Sequence, residues 1–115
     1  MERIIDKNVL QKEIESFANR DVYLHLETTN GAYATHVNEK TMTVGVFIRN
    51  TRIQFERGSI AGEDPYRVGL KMEQGWVYAQ GLTHWEKDEK GRLLLAGHNE
   101  KGQLAVAFEL SKTPF

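Results

Sequence analysis

A chain of 115 residues is long enough for one domain, read here as a single β domain over 1–115, and too short for two ordinary ones. Lys and Arg number 15 against 16 Asp and Glu, without the basic surplus typical of a nucleic-acid binder, so no nucleic-acid partner is expected. With no cysteine, the sequence excludes disulfides, thiolate metal sites and cysteine nucleophiles together.

The opening residues Met1 to Asp6 have no apolar run of signal-peptide length, and no segment approaches the ~20 apolar residues of a membrane span. The expected location is cytoplasmic, away from membranes. A helix is predicted over about 6–19. Asp6 is its N-cap, since a carboxylate there accepts from the free N–H groups of the first turn. Ile5 and Leu10 have the spacing of a hydrophobic staple. Leu10, Ile14 and Phe17 recur on one face, the stripe that would lie on a core.

From Val22 the period becomes two. Val22, Leu24 and Leu26 alternate with Tyr23, His25 and Glu27, and Asn30-Gly31 is a tight-hairpin signal that makes Ala32 to Val37 the expected return strand. Met42, Val44, Val46 and Ile48 alternate next. Asn50-Thr51 is read either as a turn or as part of one long bent strand reaching Ile53 and Phe55. Gly62 to Pro65 reads as a loop. The remainder reads as a four-strand meander, with Tyr66–Glu73, Trp76–Trp85, Leu93–His98 and Leu104–Leu110 joined at Gln74-Gly75, Asp88–Gly91 and Glu100–Gly102. Short strands at regular spacing predict a mainly β fold: an antiparallel distorted β-sandwich or partly open barrel with one N-terminal α-helix.

Register converts these strands into candidate sites. A two-residue turn at Asn30-Gly31 would place His25 across from His36, with Cβ atoms ~5 Å apart and Glu27 diagonal to them. Two imidazoles and a carboxylate are zinc or iron ligand types, so His25, His36 and Glu27 form a candidate divalent-metal site, with acid–base chemistry as the other use of the imidazoles. The plainer reading of the same alternation is a solvated sheet face that binds nothing. Tyr23 shares this face.

In the meander, counting across the turns puts Val77, Ala79, Trp85, Leu94, Ala96, Val106, Phe108 and Leu110 on one face. His98 joins them across from Leu104 and beside Gly81, and His84 falls on the other face. His98, Trp85 and Tyr23 are the candidate ligand contacts; a core-edge histidine satisfied by backbone or water is the structural alternative for His98. The second face carries Trp76, Tyr78, Leu82, Leu93 and Leu95. A sheet apolar on both sides needs two covers, which leads us to expect a homo-oligomer.

Three stretches, IIDKNVLQKEIESFANRDVYLHLETTNGAYA, GVFIRNTRIQFERGSIAG and QGWVYAQGLTHWE, resemble the YojF-like family of small proteins from bacilli, essentially over the full length. The resemblance implies an all-β domain of the distorted-sandwich kind and transfers no catalytic residue. Genes of that family often lie beside a deacetylase of bacillithiol synthesis. The resemblance therefore implies a role near low-molecular-weight thiol or sugar–malate metabolism, with that deacetylase as a candidate partner. The expected function is a non-catalytic binding or accessory protein without a required cofactor. A small metal-dependent enzyme on the His/His/Glu cluster is the alternative.

Overall fold

A computed structural model of the chain describes residues 1–28 and 45–115. In chain order the elements are β1 (Glu2–Arg3), α1 (Lys7–Glu15), β2 (Val22–Thr28), β3 (Val46–Ile53), β4 (Arg57–Gly62), β5 (Tyr66–Lys71), β6 (Trp76–Leu82), β7 (His84–Lys87), β8 (Leu93–His98) and β9 (Leu104–Ser111). Among the described residues they form two antiparallel sheets, one of six strands in the order β1-β7-β8-β9-β2-β3 and one of three in the order β4-β5-β6. The sheets are stacked and do not close into a barrel, so the fold is mainly β with one short helix. No helix among the described residues is long and apolar enough to cross a membrane.

The helix forms where its cap and stripe predict. Asp6 accepts from the Asn8 N–H at 2.9 Å, and Leu10, Ile14 and Phe17 are all fully buried. It ends earlier than expected, at Glu15, and its chain continues through turns to Asn19, which takes a positive φ of 60°. The staple does not form. Ile5 is 88% exposed, and its neighbour Ile4 is buried instead, because the Ile4 N–H is tied to the Thr83 carbonyl at 2.8 Å.

Leu24, Leu26, Leu93, Leu95, Phe108 and Leu110 from the large sheet meet Val68, Leu70, Ala79 and Leu82 from the small one, with the helix stripe and Phe55 completing one continuous core. Each fully buried Leu or Phe contributes roughly 1.5–3 kcal/mol of burial free energy. At Gly97 the sheets come close together: a Cβ there would lie 1.8 Å from the Gly81 carbonyl oxygen, so only glycine fits.

The meander divides where a single sheet was expected. Trp76 to Trp85 is two strands in two sheets, β6 ending at Leu82 and β7 starting at His84. The crossover follows Gly81, at φ 80°, and an irregularity between Tyr66 and Val68 in the β5–β6 ladder. That shift of parity turns Leu82 inward to full burial, away from the face of Trp76 and Tyr78 where it was expected. Likewise Leu93 and Leu95 pair with Leu110 and Phe108 and are core residues, while Leu94 faces outward with Glu109.

Between β2 and β3 the long-strand reading holds, since β3 runs unbroken through Asn50-Thr51 to Ile53. The ladder steps from Leu24↔Thr51 to Leu26↔Ile48, so one residue on β2, His25, faces two on β3, Arg49 and Asn50. This is a β-bulge, with Asn50 at φ 59°. The expected hairpin at Asn30-Gly31 and the return strand from Ala32 lie outside the described residues. Both edges of β2 pair with described strands, β3 on one side and β9 on the other.

Candidate functional site

The outward face of the six-stranded sheet carries the polar cluster. Its centre is His25, whose inward neighbours Leu24 and Leu26 are core. Strand alternation points the imidazole outward, yet the residue is only 4% exposed. The solvated-face reading therefore fails at this position. Phe47 of β3 and Phe115 at the chain's last position set their rings against the imidazole, with centroids at 5.7 and 6.3 Å. Phe115 is held in turn by its N–H, which donates to Asn50 Oδ1 at 2.8 Å, and by the Arg49 and Arg92 guanidiniums, each 5.8 Å from its ring centroid.

The polar contacts fix the imidazole's tautomer. Arg49 Nη1 approaches Nδ1 at 3.3 Å, and a guanidinium can only donate, so Nδ1 accepts. Nε2 then carries the proton. It faces Glu27 Oε2 at 3.4 Å and Glu109 Oε2 at 3.7 Å. The first is a long hydrogen bond and the second is beyond hydrogen-bonding reach, so the single N–H serves Glu27. Glu109 has no hydrogen-bond donor among the described residues, and both carboxylates remain partly open to solvent, their side chains 29% and 25% exposed. Chemically the arrangement is a pair of acceptors held apart by an imidazole that is engaged at both nitrogens.

Of the expected metal ligands, the structure brings His25 and Glu27 together, and His36 lies outside the described residues. The residue directly paired with His25 on β9 is Glu109. Among the described residues no group of three or more His, Asp or Glu is placed to hold a metal ion. Tyr23 is half-buried, two positions from His25 on the same face, paired with Ser111 and Arg52.

His98, Trp85 and Tyr23 are not brought together. Trp85 pairs with Leu95 and packs on the core side, whereas His98 is exposed. His98 does lie across from Leu104, as expected, but on β8 it is Leu93, Leu95 and Gly97 that face inward, so His98 points outward with Leu94. The register shift between Gly97 and His98, an extra residue on β9, turns Leu104 out to meet it. It meets His84 instead, ring centroids 5.2 Å apart at right angles, although the strand count put the two on opposite faces. His84 Nδ1 is 2.7 Å from the Thr83 hydroxyl. His98 and Gly81 do share the lining of one open cleft of about 420 Å³, with Thr28, Gln80 and Thr83.

Sequence reasoning missed Glu109, Arg49, Arg92 and Phe115. Glu109 arrives by a pairing between distant strands, and Phe115 sat in a tail with no pattern. Asn50 did give a signal: an Asn inside an apparent strand is a residue type that tolerates positive φ, as a bulge can require. Arg92 is fixed by the β7–β8 turn, where Asp88 Oδ2 accepts from its Nε at 2.6 Å. Burial alone would raise the Asp88 carboxyl, but the N–H and guanidinium of Arg92 and the N–H of Lys90 outweigh it and hold it below the usual carboxylate value.

Residues 4–115 match the family described as "Protein of unknown function (DUF1806)". The chain is 50% identical to "Uncharacterized protein YojF" of Bacillus subtilis (strain 168), covering 100% of this chain and 98% of that protein. It is also similar to a solved structure, "Crystal Structure of Bacillus subtilis YojF protein", with a TM-score of 0.82 and 44% identity over 99% of this chain and 95% of that one. Its sequence, helix and paired sheets thus place the chain in the DUF1806, or YojF-like, family of proteins of unknown function.

Proposed function

We propose that this protein is a non-catalytic binding protein that holds a small polar metabolite at the His25 cluster on the outward face of the six-stranded sheet. The observation that carries this reading is the pair Glu27 and Glu109, flanking a buried imidazole with their carboxylates partly open to solvent. Carboxylates are acceptors when ionised, so the ligand they suit bears amine or hydroxyl donors. His25 is spent on orientation: Nδ1 takes the Arg49 contact and Nε2–H serves Glu27, leaving neither nitrogen free to act as a general base. Phe47 and Phe115 supply apolar walls beside the acceptors.

Amino sugars, including the glucosamine part of a sugar–malate conjugate, have this donor-rich chemistry, which agrees with the metabolic neighbourhood implied by the family resemblance. The test is calorimetric titration with glucosamine–malate conjugates and their N-acetylated forms. Binding that weakens at least about tenfold in Glu27→Gln and Glu109→Gln, the scale of one lost charge-assisted hydrogen bond, supports the reading. Binding unaffected by both substitutions, or no binding with capture of the deacetylase in its place, overturns it in favour of an accessory protein acting by contact.

The close approach of His25 and Glu27 also favours a second reading, a metal-dependent site completed by His36. Metal analysis of untagged protein separates the two. Stoichiometric zinc or iron that is lost in His36→Ala would support the metal reading.

A further inference from the structure

The outward face of the three-stranded sheet holds a second surface. Gly58 and Ile60 of β4 point into the core, so Arg57, Ser59 and Ala61 point out, and their β5 partners are Lys71, Gly69 and Arg67. On β6, Trp76 pairs with Lys71 and Tyr78 with Gly69. The face is therefore two aromatics and three cations around small residues. Trp76 is 44% exposed and Tyr78 54%.

These side chains are ordered into a ladder. The Trp76 and Tyr78 rings are stacked, 6° from parallel with centroids 5.4 Å apart, and the Arg57 guanidinium lies 5.9 Å from the Trp76 ring centroid. Gly69 makes room for this, because a Cβ there would lie 2.9 Å from Tyr78 Cε1. The ladder ends at Tyr78, and no ring or cation is stacked beyond it among the described residues. Lys71 pairs with Glu56 at 3.5 Å, while Arg67 is exposed with no ion-pair partner among the described residues.

We propose that this face binds single-stranded nucleic acid, with a base added to the Tyr78 end of the Arg57–Trp76–Tyr78 ladder and phosphates taken by Arg67, Lys71 and Arg57. The chemistry is that of stacking platforms flanked by cations, where each base offers a π face regardless of sequence and the backbone follows positive charge. An overall charge near neutral does not oppose it, because the three cations are gathered on one small sheet face. From Arg67 to Lys71 the strand covers ~13 Å, which suits a backbone with successive phosphates better than a single one. A duplex hides its bases and does not fit a flat stacking face.

The test uses the full chain and fluorescence anisotropy with labelled oligothymidylate and oligouridylate, single-stranded and as duplexes. Single strands should bind, duplexes should bind more weakly, and affinity should fall as salt rises with a slope of about −0.7 per phosphate neutralised. Trp76→Ala and Tyr78→Ala should each weaken binding about five- to a hundredfold, Trp76→Phe should retain it, and Arg67→Ala should flatten the salt slope. Both aromatics are exposed, and circular dichroism checks that each variant is folded. No anisotropy change at low salt overturns the proposal. So does unchanged affinity in folded Tyr78→Ala together with Trp76→Ala. A dimer in sedimentation that Trp76→Ala dissociates, without oligonucleotide binding, assigns the face to a second copy and also overturns it.

Discussion

The outward faces of the two sheets obey the same alternation and end in opposite states. On the six-stranded sheet, a polar residue, His25, is driven into burial by Phe47 and Phe115 and engaged at both nitrogens. On the three-stranded sheet, Trp76 and Tyr78 stay in solvent, satisfied mainly by each other and by Arg57. Period two tells which side of a sheet a residue occupies, but not whether that side is covered. Cover comes from distant segments, here the chain's last residue and a bulged neighbouring strand.

That contrast predicts unequal costs of mutation. The largest belongs to His25→Ala, which leaves Glu27 and the Arg49 guanidinium without their shared partner; unfolding in urea should show a loss of about 2–3 kcal/mol. Equal stability of variant and parent would mean that the buried polar cluster is not structural. Phe115→Ala removes the wall that shields His25 and two cation–π contacts, and should cost about 1–2 kcal/mol while making the imidazole accessible to a histidine-modifying reagent such as diethylpyrocarbonate. Unaltered reactivity of His25 would show that the tail does not cover it.

Trp76→Ala should cost less, about 1 kcal/mol, since the ring is 44% exposed and loses only its stacking on Tyr78 and its contact with Arg57. A loss comparable to that of His25→Ala would erase the distinction between the faces. The smallest effect is one of pH. The Asp88 carboxyl is held below its ordinary value, so its contribution is complete above the unfolded-state value near 3.9 and disappears as pH falls through the lower folded-state value. Asp88→Asn should flatten that acid limb of the stability curve and lower stability at pH 7, where the parent's ionised carboxylate contributes in full. An unchanged acid limb would show that the Arg92 and Lys90 contacts do not favour the ionised form.

Much of the fold was legible in local signals. Asp6 caps the helix, its three-residue stripe is buried, and the Asp88–Gly91 turn closes as its residues require, with Asp88 accepting from the Lys90 and Arg92 N–H groups. What was illegible depends on parity and distance. A count of two continues correctly only until a bulge, and the extra residues on β3 opposite His25, on β6 opposite Arg67 and on β9 opposite Gly97–His98 each switch the face of the side chains on either side of them in the bulged strand. The first of them brings Arg49 and Asn50 to His25. The pairing of β2 with β9 joins opposite ends of the chain, and no local pattern encodes which strand will lie beside which. Hence His25 and Glu27 were recognised as neighbours, while Glu109, directly across from His25, was not.

The most direct test of the His25 cluster as a binding site is where a ligand is felt. The chain has 4 histidines, and the imidazole resonances of His25, His84 and His98 report on two separate regions of the described fold in one NMR titration. Adding a glucosamine–malate conjugate should shift the His25 imidazole signals to saturation and leave those of His84 and His98 in place. Signals of His25 that stay fixed while the other pair moves would contradict the assignment of the binding site.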